Sequence, residues 1–454
     1  MTAAIDYHSF LIREARKDPR TLMELIFADE TGTPIEMGDI HEDLHEFLAS
    51  NQQGVLELPR EHGKTTNMLG FAAFNIGINP NIRIKIVSSS DTIAVNRGKA
   101  LQEIISLPIY RKVFPNIRRG REWADGKFSV RRDVITPEST VECYGVMSRA
   151  TGGRCDLLLL DDVDDEEVIV SEAKRIRNRE RVANVWLNLL PPTGRAFAFA
   201  TPWHEADTVH MLKGNGWPVF RKPVVDMKPV WDARWHEKAL RARKKTIGTL
   251  AFVRGYELVP ITSETAPIKG EWFKYWSKLP IFTSVGIALD PANSLDEKAD
   301  YSAIGVFVAT WEYQVYLVKV HRARYEFPSL IKALIRIADQ VATEFNILPT
   351  IGIEKTAFQN AIPQQLKATS RYPIIGVPAD RSKFIRASRL GVHVENGRVH
   401  LKQGPDKNVH PDQKVVYDEC VSYPVSAHDD CVDMLGYGVE LMLRVARRSG
   451  PATG

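Results

Sequence analysis

The chain is predicted to be an α/β protein of two domains, and three observations in its 454 residues carry that prediction. Between residues 54 and 203, short apolar segments alternate with longer stretches of helical periodicity, the pattern of a parallel sheet covered by helices. From residue 284 a second pattern begins, three consecutive strands followed by helix, strand and helix. Between the two, residues 205 to 280 are rich in Trp, Lys, Arg and Pro and follow neither rhythm. The length alone exceeds one ordinary domain.

Taken in order, residues 1–50 read as a helical N-terminal region, with apolar residues at helical spacing in Phe10, Leu11 and Ile12 and again from Leu22 to Phe27. The first domain spans 51–260. Its strands are expected at Val55–Leu58, Ile82–Ser88, Thr140–Tyr144, Leu157–Leu160 and Ala196–Ala200. From about residue 205 it passes into a linker subregion that includes the basic helical run Trp235 to Thr246. Residues 261–282 read as a linker proper. The second domain spans 283–443, with strands at Val285–Asp290, Ala303–Thr310, Gln314–Val320 and Thr350–Glu354, and helices at Pro328 to Phe345 and Ala357 to Ala368. Residues 444–454 read as a short basic tail, expected to fray.

Composition narrows the function classes. A net charge of +4 permits a nucleic-acid partner without requiring one. Cys143, Cys155, Cys420 and Cys431 show neither C-x-x-C spacing nor a paired His pattern, which argues against a zinc site and a disulfide framework and fits a reducing cytoplasm. No apolar run reaches membrane-spanning length, and the charged N-terminal residues Asp6, Arg13 and Glu14 do not make a signal peptide.

The chemistry of the first domain starts at Pro59-Arg60-Glu61-His62-Gly63-Lys64-Thr65-Thr66, a turn between an apolar strand and a helical run. Backbone N–H groups at that helix start would face phosphate oxygens. Lys64 would reach the terminal phosphates and Thr65 would help hold Mg²⁺. The pattern G-x-x-x-x-G-K-[ST] departs at its first glycine, where this chain has Leu58. A nucleotide site needs an acid opposite the loop, and Leu157-Leu158-Leu159-Leu160-Asp161-Asp162 supplies it: a doubly buried strand with carboxylates at its C-terminal end. Asp161 would hold Mg²⁺ and Asp162 would orient the attacking water, with Glu166 or Glu167 as substitutes. Thr201, ending the strand Ala196–Ala200, is a candidate sensor of the γ-phosphate. Arg60, Arg149 and Arg154 are candidates to stabilise charge on the transferring group. Together these predict a P-loop ATPase domain.

In the second domain Asp290 and Glu354 end apolar strands, and His428-Asp429-Asp430-Cys431-Val432-Asp433 opens a helical run. Carboxylates gathered from such positions bind Mg²⁺ or Mn²⁺, and two ions can cleave a phosphodiester. With the strand order, the acids predict a ribonuclease-H-like nuclease in which Asp290, Glu354 and Asp430 lead. Asp429, Asp433 and Asp300 are further metal candidates. Arg381, Lys383, Arg386 and Arg389 form a stripe suited to DNA phosphates.

The order of these motifs resembles one family over residues 35 to 443, the large terminase subunit of tailed double-stranded DNA bacteriophages. The matching segments are the Arg-containing loop Pro59 to Thr65, Asp161-Asp162, Ala200-Thr201-Pro202, Asp290-Pro291-Ala292, Glu354, Ser382 to Ala387, and His428 to Asp433. Asp162 stands where the family carries Glu. Ile40 to His45 lacks the family's adenine-contacting Gln, which leaves the base contact open. The resemblance implies ATP-driven packaging and cutting of concatemeric DNA in the cytoplasm of an infected bacterium. It further implies a homo-oligomeric ring on a portal protein, a small terminase subunit as partner, and Arg149 acting on a neighbouring subunit while Arg60 acts within its own. Two other readings remain: a repair helicase–nuclease, for which no further helicase motifs occur between Thr201 and Asp290, and a nucleotide-switched DNA-binding scaffold.

Overall fold

The computed structural model describes residues 2–149, 153–261, 265–291, 301–355, 361–378, 382–424 and 429–449. The chain divides into two compact units, Met1–Lys244 with Ala251–Thr262, and Lys245–Leu250 with Ser263–Gly454.

The first run of elements is α1 (Thr2–Glu14), α2 (Pro19–Ile26), α3 (Asp39–Ser50), β1 (Gln53–Glu57), α4 (Lys64–Ile78), β2 (Ile84–Ser88), α5 (Asp91–Ser106), α6 (Pro108–Val113), β3 (Arg119–Ala124), β4 (Lys127–Val130), β5 (Val141–Gly145), β6 (Leu157–Asp161), α7 (Glu172–Arg181), β7 (Arg195–Ala200), α8 (Thr208–Gly214), β8 (Val219–Arg221), α9 (Glu237–Ile247) and α10 (Thr249–Gly255). The sheet runs β3-β4-β5-β2-β6-β7-β1-β8. From β5 to β8 every pairing is parallel. Burial on both faces explains the apolar runs. Leu157 and Leu159 of β6 join one core with Phe197, Phe199, Leu56 and the α4 side chains, whereas Leu158 and Leu160 join the opposite core with Val55, Val182, Trp186 and Leu212. The β3–β4 hairpin, absent from the sequence reading, adds antiparallel strands at one edge. Arg119, Arg121 and Glu122 on β3 are exposed, so that strand carries no apolar signal.

The second run is β9 (Lys274–Trp276), β10 (Ser284–Asp290), β11 (Ser302–Ala309), β12 (Val315–Ala323), α11 (Phe327–Phe345), β13 (Thr350–Lys355), α12 (Ala361–Thr369), β14 (Ile374–Pro378), α13 (Lys383–Glu395), β15 (Val399–Lys402), α14 (Lys414–Ser422) and α15 (Asp430–Ser449). Its sheet runs β14-β13-β10-β11-β12-β15-β9. β10, β11 and β12 pair antiparallel, and β10, β13 and β14 pair parallel. One face packs on α11 through Val285, Ile287, Leu289, Ile351 and Leu334. The other lies under α15, whose close approach requires small residues: a β-carbon at Gly286 would stand 2.4 Å from Met442 Sδ, and one at Gly352 would stand 2.9 Å from Leu441 Cδ2. β9 falls in the stretch read as linker and pairs with β15 through His400 and Leu401. α15 extends to Ser449, so the start of the expected tail is helical. Among the described residues no helix is long and apolar enough to cross a membrane.

Candidate functional site

Each unit carries a site where parallel strands end. In the first, Gly63 caps α4 with φ +78°, a left-handed value that only glycine adopts freely, and Asn67 Nδ2 would lie 2.9 Å from a β-carbon there. The turn delivers Lys64 to the first position of α4. Its ammonium is buried and folded back, donating to Leu58 O (2.9 Å), Pro59 O (3.4 Å) and Thr201 Oγ1 (2.8 Å). Burial pulls its pKa below the usual lysine value. Thr201, at the end of β7, also donates its N–H to Asp162 Oδ1 at 2.9 Å. Lys64, Thr201 and Asp162 thus form one hydrogen-bonded chain across three strand ends. A cavity of about 390 Å³ opens beside it, lined by Arg60, Gly63, Lys64, Thr65, Thr66 and Asp162 on one side and by Asp29, Trp231 and Arg234 on the other.

Asp161 closes β6 and is buried, and its Oδ2 accepts from Arg97 Nε at 2.6 Å. Burial, then the charge of Asp162, raises its pKa. Its Oδ1 has no hydrogen-bond partner among the described residues, leaving that oxygen open to a ligand. Arg97 was absent from the sequence reading: it lies in the middle of α5, and nothing in its neighbourhood hints that it will meet an acid 64 residues later. Asp162 has φ +42°, so it sits at a sharp turn off the strand. Glu167 is exposed and tied to Lys174 at 2.8 Å, away from this chain of bonds. Arg60 is exposed, with its guanidinium over the Trp203 ring at 5.3 Å. Arg149 is exposed and does not line its own chain's cavity. The Arg154 N–H donates to Glu138 Oε1 at 2.9 Å. Behind the loop, burial lowers His41, His45 and His62 to about 4. As neutral rings they hold the loop: His45 Nε2 lies 2.9 Å from Asn67 Oδ1, and His41 meets Trp231 edge-on at 4.6 Å.

In the second unit, β10 and β13 pair Leu289 with Ile353, so Asp290 and Glu354 follow side by side at adjacent strand ends. α15 packs across β10 and places Asp430 and Asp433, both buried, in its first turn, where the helix dipole favours acids. Asp290's pKa is pushed well above the usual carboxylate range by burial and then by the charges of Asp433, Glu354 and Asp430. Asp429 lies just outside the helix and pairs with Lys383 at 2.8 Å. Asp300, Arg381 and His428 lie outside the described residues.

Among the described residues no three His, Cys, Asp or Glu groups are arranged to hold an ion. Several of the acids are paired with cations of the chain. Arg386 takes Asp433 in a two-pronged pair at 2.9 and 2.7 Å, and Arg322 reaches Asp430 at 3.4 Å and Glu419 at 3.1 Å. Two members of the stripe expected to track DNA phosphates are paired with these acids, Lys383 with Asp429 and Arg386 with Asp433; Lys383 and Arg389 remain exposed. Arg322 and Glu419 were absent from the sequence reading, since neither lies near a recognisable motif.

A domain family described as Terminase RNaseH-like domain matches residues 287–441. The fold is similar to that of the large terminase from the thermophilic bacteriophage D6E, with a TM-score of 0.60 at 9% identity over 90% of this chain and 100% of that one. The D6E large terminase in complex with ADP gives a TM-score of 0.52 at 10% identity, over 87% and 95% of the two chains. No curated protein matches the sequence.

Proposed function

We propose that this chain, a large terminase subunit by its terminase RNase H-like domain and by its fold, is an ATP-driven motor that moves double-stranded DNA into a capsid and cuts it by metal-dependent hydrolysis. The observation that carries the reading is the pairing of opposite chemistries on one chain: a buried cation beside a helix start in one unit, and a cluster of acids, two of them buried, in the other.

In the motor site the N–H groups opening α4 bind the phosphates, as they do at other helix starts. Lys64 leaves the Leu58 and Pro59 carbonyls and Thr201 for the terminal phosphates. Thr201 loses a donor when Lys64 leaves, so its strand end reports whether a γ-phosphate is present. Asp162, bonded to the same threonine, orients the attacking water. Arg60 stabilises charge on the transferring group from its own subunit, and Arg149 does so from a neighbour in a ring. The free Oδ1 of Asp161 and the hydroxyl of Thr65 suit a Mg²⁺ ion bound with the nucleotide. Support for nucleotide use comes from the related fold that binds ADP.

In the nuclease site the donor set is all oxygen, which suits Mg²⁺ or Mn²⁺. Asp290, repelled by three neighbouring carboxylates, is the group a divalent cation would relieve most. Asp290, Glu354 and Asp430 would hold the ion or ions, with Asp433 beside them and Asp429 further out. When bound, such ions activate water and stabilise the leaving oxygen. Arg386 and Arg322 neutralise Asp433 and Asp430 until then. Portal protein, small terminase subunit and host cytoplasm complete the proposed setting.

The test separates the two activities. Lys64→Ala should abolish ATP hydrolysis and leave Mn²⁺-dependent DNA cleavage, whereas Asp290→Ala should do the reverse. Loss of both activities in either variant would refute the two-site reading.

A further inference from the structure

The first unit contains a second arginine at the motor site, unused by the chemistry above. Arg254 of α10 is only 7% exposed, and its Nε and Nη1 have no hydrogen-bond partner among the described residues. A buried guanidinium with unmet donors is costly, so its position calls for a cause. Its Cζ sits 3.5 Å from the centroid of the Trp203 ring, and the same ring carries Arg60 at 5.3 Å. Trp203 follows directly on Thr201 and Pro202. The two arginines are also linked through the backbone: the Arg60 N–H donates to Gly255 O at 2.8 Å, and a β-carbon on Gly255 would stand 3.2 Å from Arg60 Cδ.

Two guanidinium ions on one indole compete for the same negative ring potential and repel each other. Arg254 holds the near, water-excluded place and Arg60 the outer one, where it also lines the nucleotide cavity. We propose that Arg254 is a positioning residue for ATP hydrolysis: by occupying the near place on Trp203, it holds the Arg60 guanidinium at its outer place, 5.3 Å from the ring centroid, where it lines the nucleotide cavity and is presented to the transferring phosphoryl group. Burial, and then the Arg60 charge, lowers Arg254 to about 9, with Glu166 and Asp162 opposing, so it stays charged at neutral pH and the repulsion persists. Without that charge, Arg60 would settle onto the vacated ring and be withdrawn from the phosphate. This inference rests on the ATPase reading of the site.

The experiment measures steady-state ATP turnover and ADP affinity for the full chain, for Arg254→Met, Arg254→Lys and Arg60→Ala, and for Arg60→Ala combined with Arg254→Met. Arg254→Met is expected to lower kcat about tenfold or more with ADP affinity within about twofold, the size typical of misplacing one charge-stabilising group. Arg254→Lys should recover most of the loss, and the double variant should be no slower than Arg60→Ala alone. Unchanged turnover in Arg254→Met would overturn the inference. So would losses that multiply in the double variant, or a joint fall of ADP affinity and kcat that Arg254→Lys does not restore. Absence of ATP turnover in the unaltered chain would instead sink the ATPase reading itself.

Discussion

The two sites are built on the same principle, charged side chains where strands end, yet they balance charge in opposite ways. In the motor site the key cation, Lys64, is satisfied by neutral acceptors, two backbone carbonyls and a hydroxyl. In the nuclease site three of the acids, Asp433, Asp430 and Asp429, are met by full cations, Arg386, Arg322 and Lys383. Neutral acceptors release a lysine easily when phosphate arrives, because no ion pair must be broken. Ion-paired acids release their partners only to a stronger cation. On the proposed function, the motor site would therefore be set for rapid cycling, and the nuclease site would stay shut until a divalent ion is bound.

The largest expected effect breaks the nuclease half of this comparison. Asp290→Asn should abolish most Mn²⁺-dependent cleavage, because it removes a ligand that metal-assisted hydrolysis needs. In EDTA the same variant should be more heat-stable than the unaltered chain, because Asp290 is crowded by the charges of Asp433, Glu354 and Asp430. A lower melting temperature in EDTA would show that the acids are not in conflict, and the contrast would fail. Thr201→Val comes next, on the motor side. It removes the hydroxyl that takes the Lys64 ammonium while leaving the backbone N–H that Asp162 accepts. ATP turnover should fall about tenfold with ADP affinity little changed, as for the loss of one positioning hydrogen bond. An equal drop in both would mean that Thr201 supports the loop and reports nothing.

Arg386→Met tests the claim that cations of the chain hold the acids shut. Without Arg386, the buried Asp433 loses a two-pronged partner. Mn²⁺ should then bind several-fold more tightly, read by calorimetry, while the metal-free protein loses stability. Weaker Mn²⁺ binding would make Arg386 a support for the metal site instead of a competitor.

How much of this was legible in the sequence follows the same contrast. Parallel strands buried on both faces announce themselves as apolar runs, so β6 and β7 and the acids at the end of β6 could be read directly. Lys64, Thr201 and Asp162 were readable because each closes such a run or follows it. The β3–β4 hairpin was not, since its exposed strand alternates in no apolar pattern. The partners were also hidden: Arg97, Arg322, Glu419 and Arg254 lie far in sequence from the groups they meet, and only the fold brings them there. In the nuclease half the acids were legible and their neutralisation was not. Lys383 and Arg386 looked like a surface stripe because helical spacing does not reveal which side of α13 meets α15.

The smallest expected effect concerns a pair of acids in the first unit that the comparison says should ignore metal. Asp164 and Asp207 are both buried, but each is met by donors. Asp164 accepts from Asn178 Nδ2 and the Thr208 N–H at 2.8 Å each, and Asp207 accepts from the Trp203 and His210 N–H groups and from His210 Nδ1. Burial, with the Asp207 charge, pushes Asp164 up to about 6. Burial acts most strongly on Asp207, but the hydrogen bonds from His210 and Trp203 together outweigh it and hold that carboxyl below the usual range. Between about pH 4 and 6 the folded chain therefore keeps a proton on Asp164 that the unfolded chain gives up, so the contribution of this group falls as pH rises through that window. Asp207 acts in the opposite sense, contributing above its unfolded value and losing its contribution as pH falls. Asp164→Asn removes only the first effect, and a rotated Asn178 amide can receive the new N–H through its unpartnered Oδ1. The variant should melt a few degrees higher at pH 8, flatten the stability profile between about pH 4 and 6, and give the same difference in EDTA and in Mn²⁺. A difference that appears only with Mn²⁺ would mean that this pair, too, waits for a cation, and the contrast between the two units would have to be redrawn.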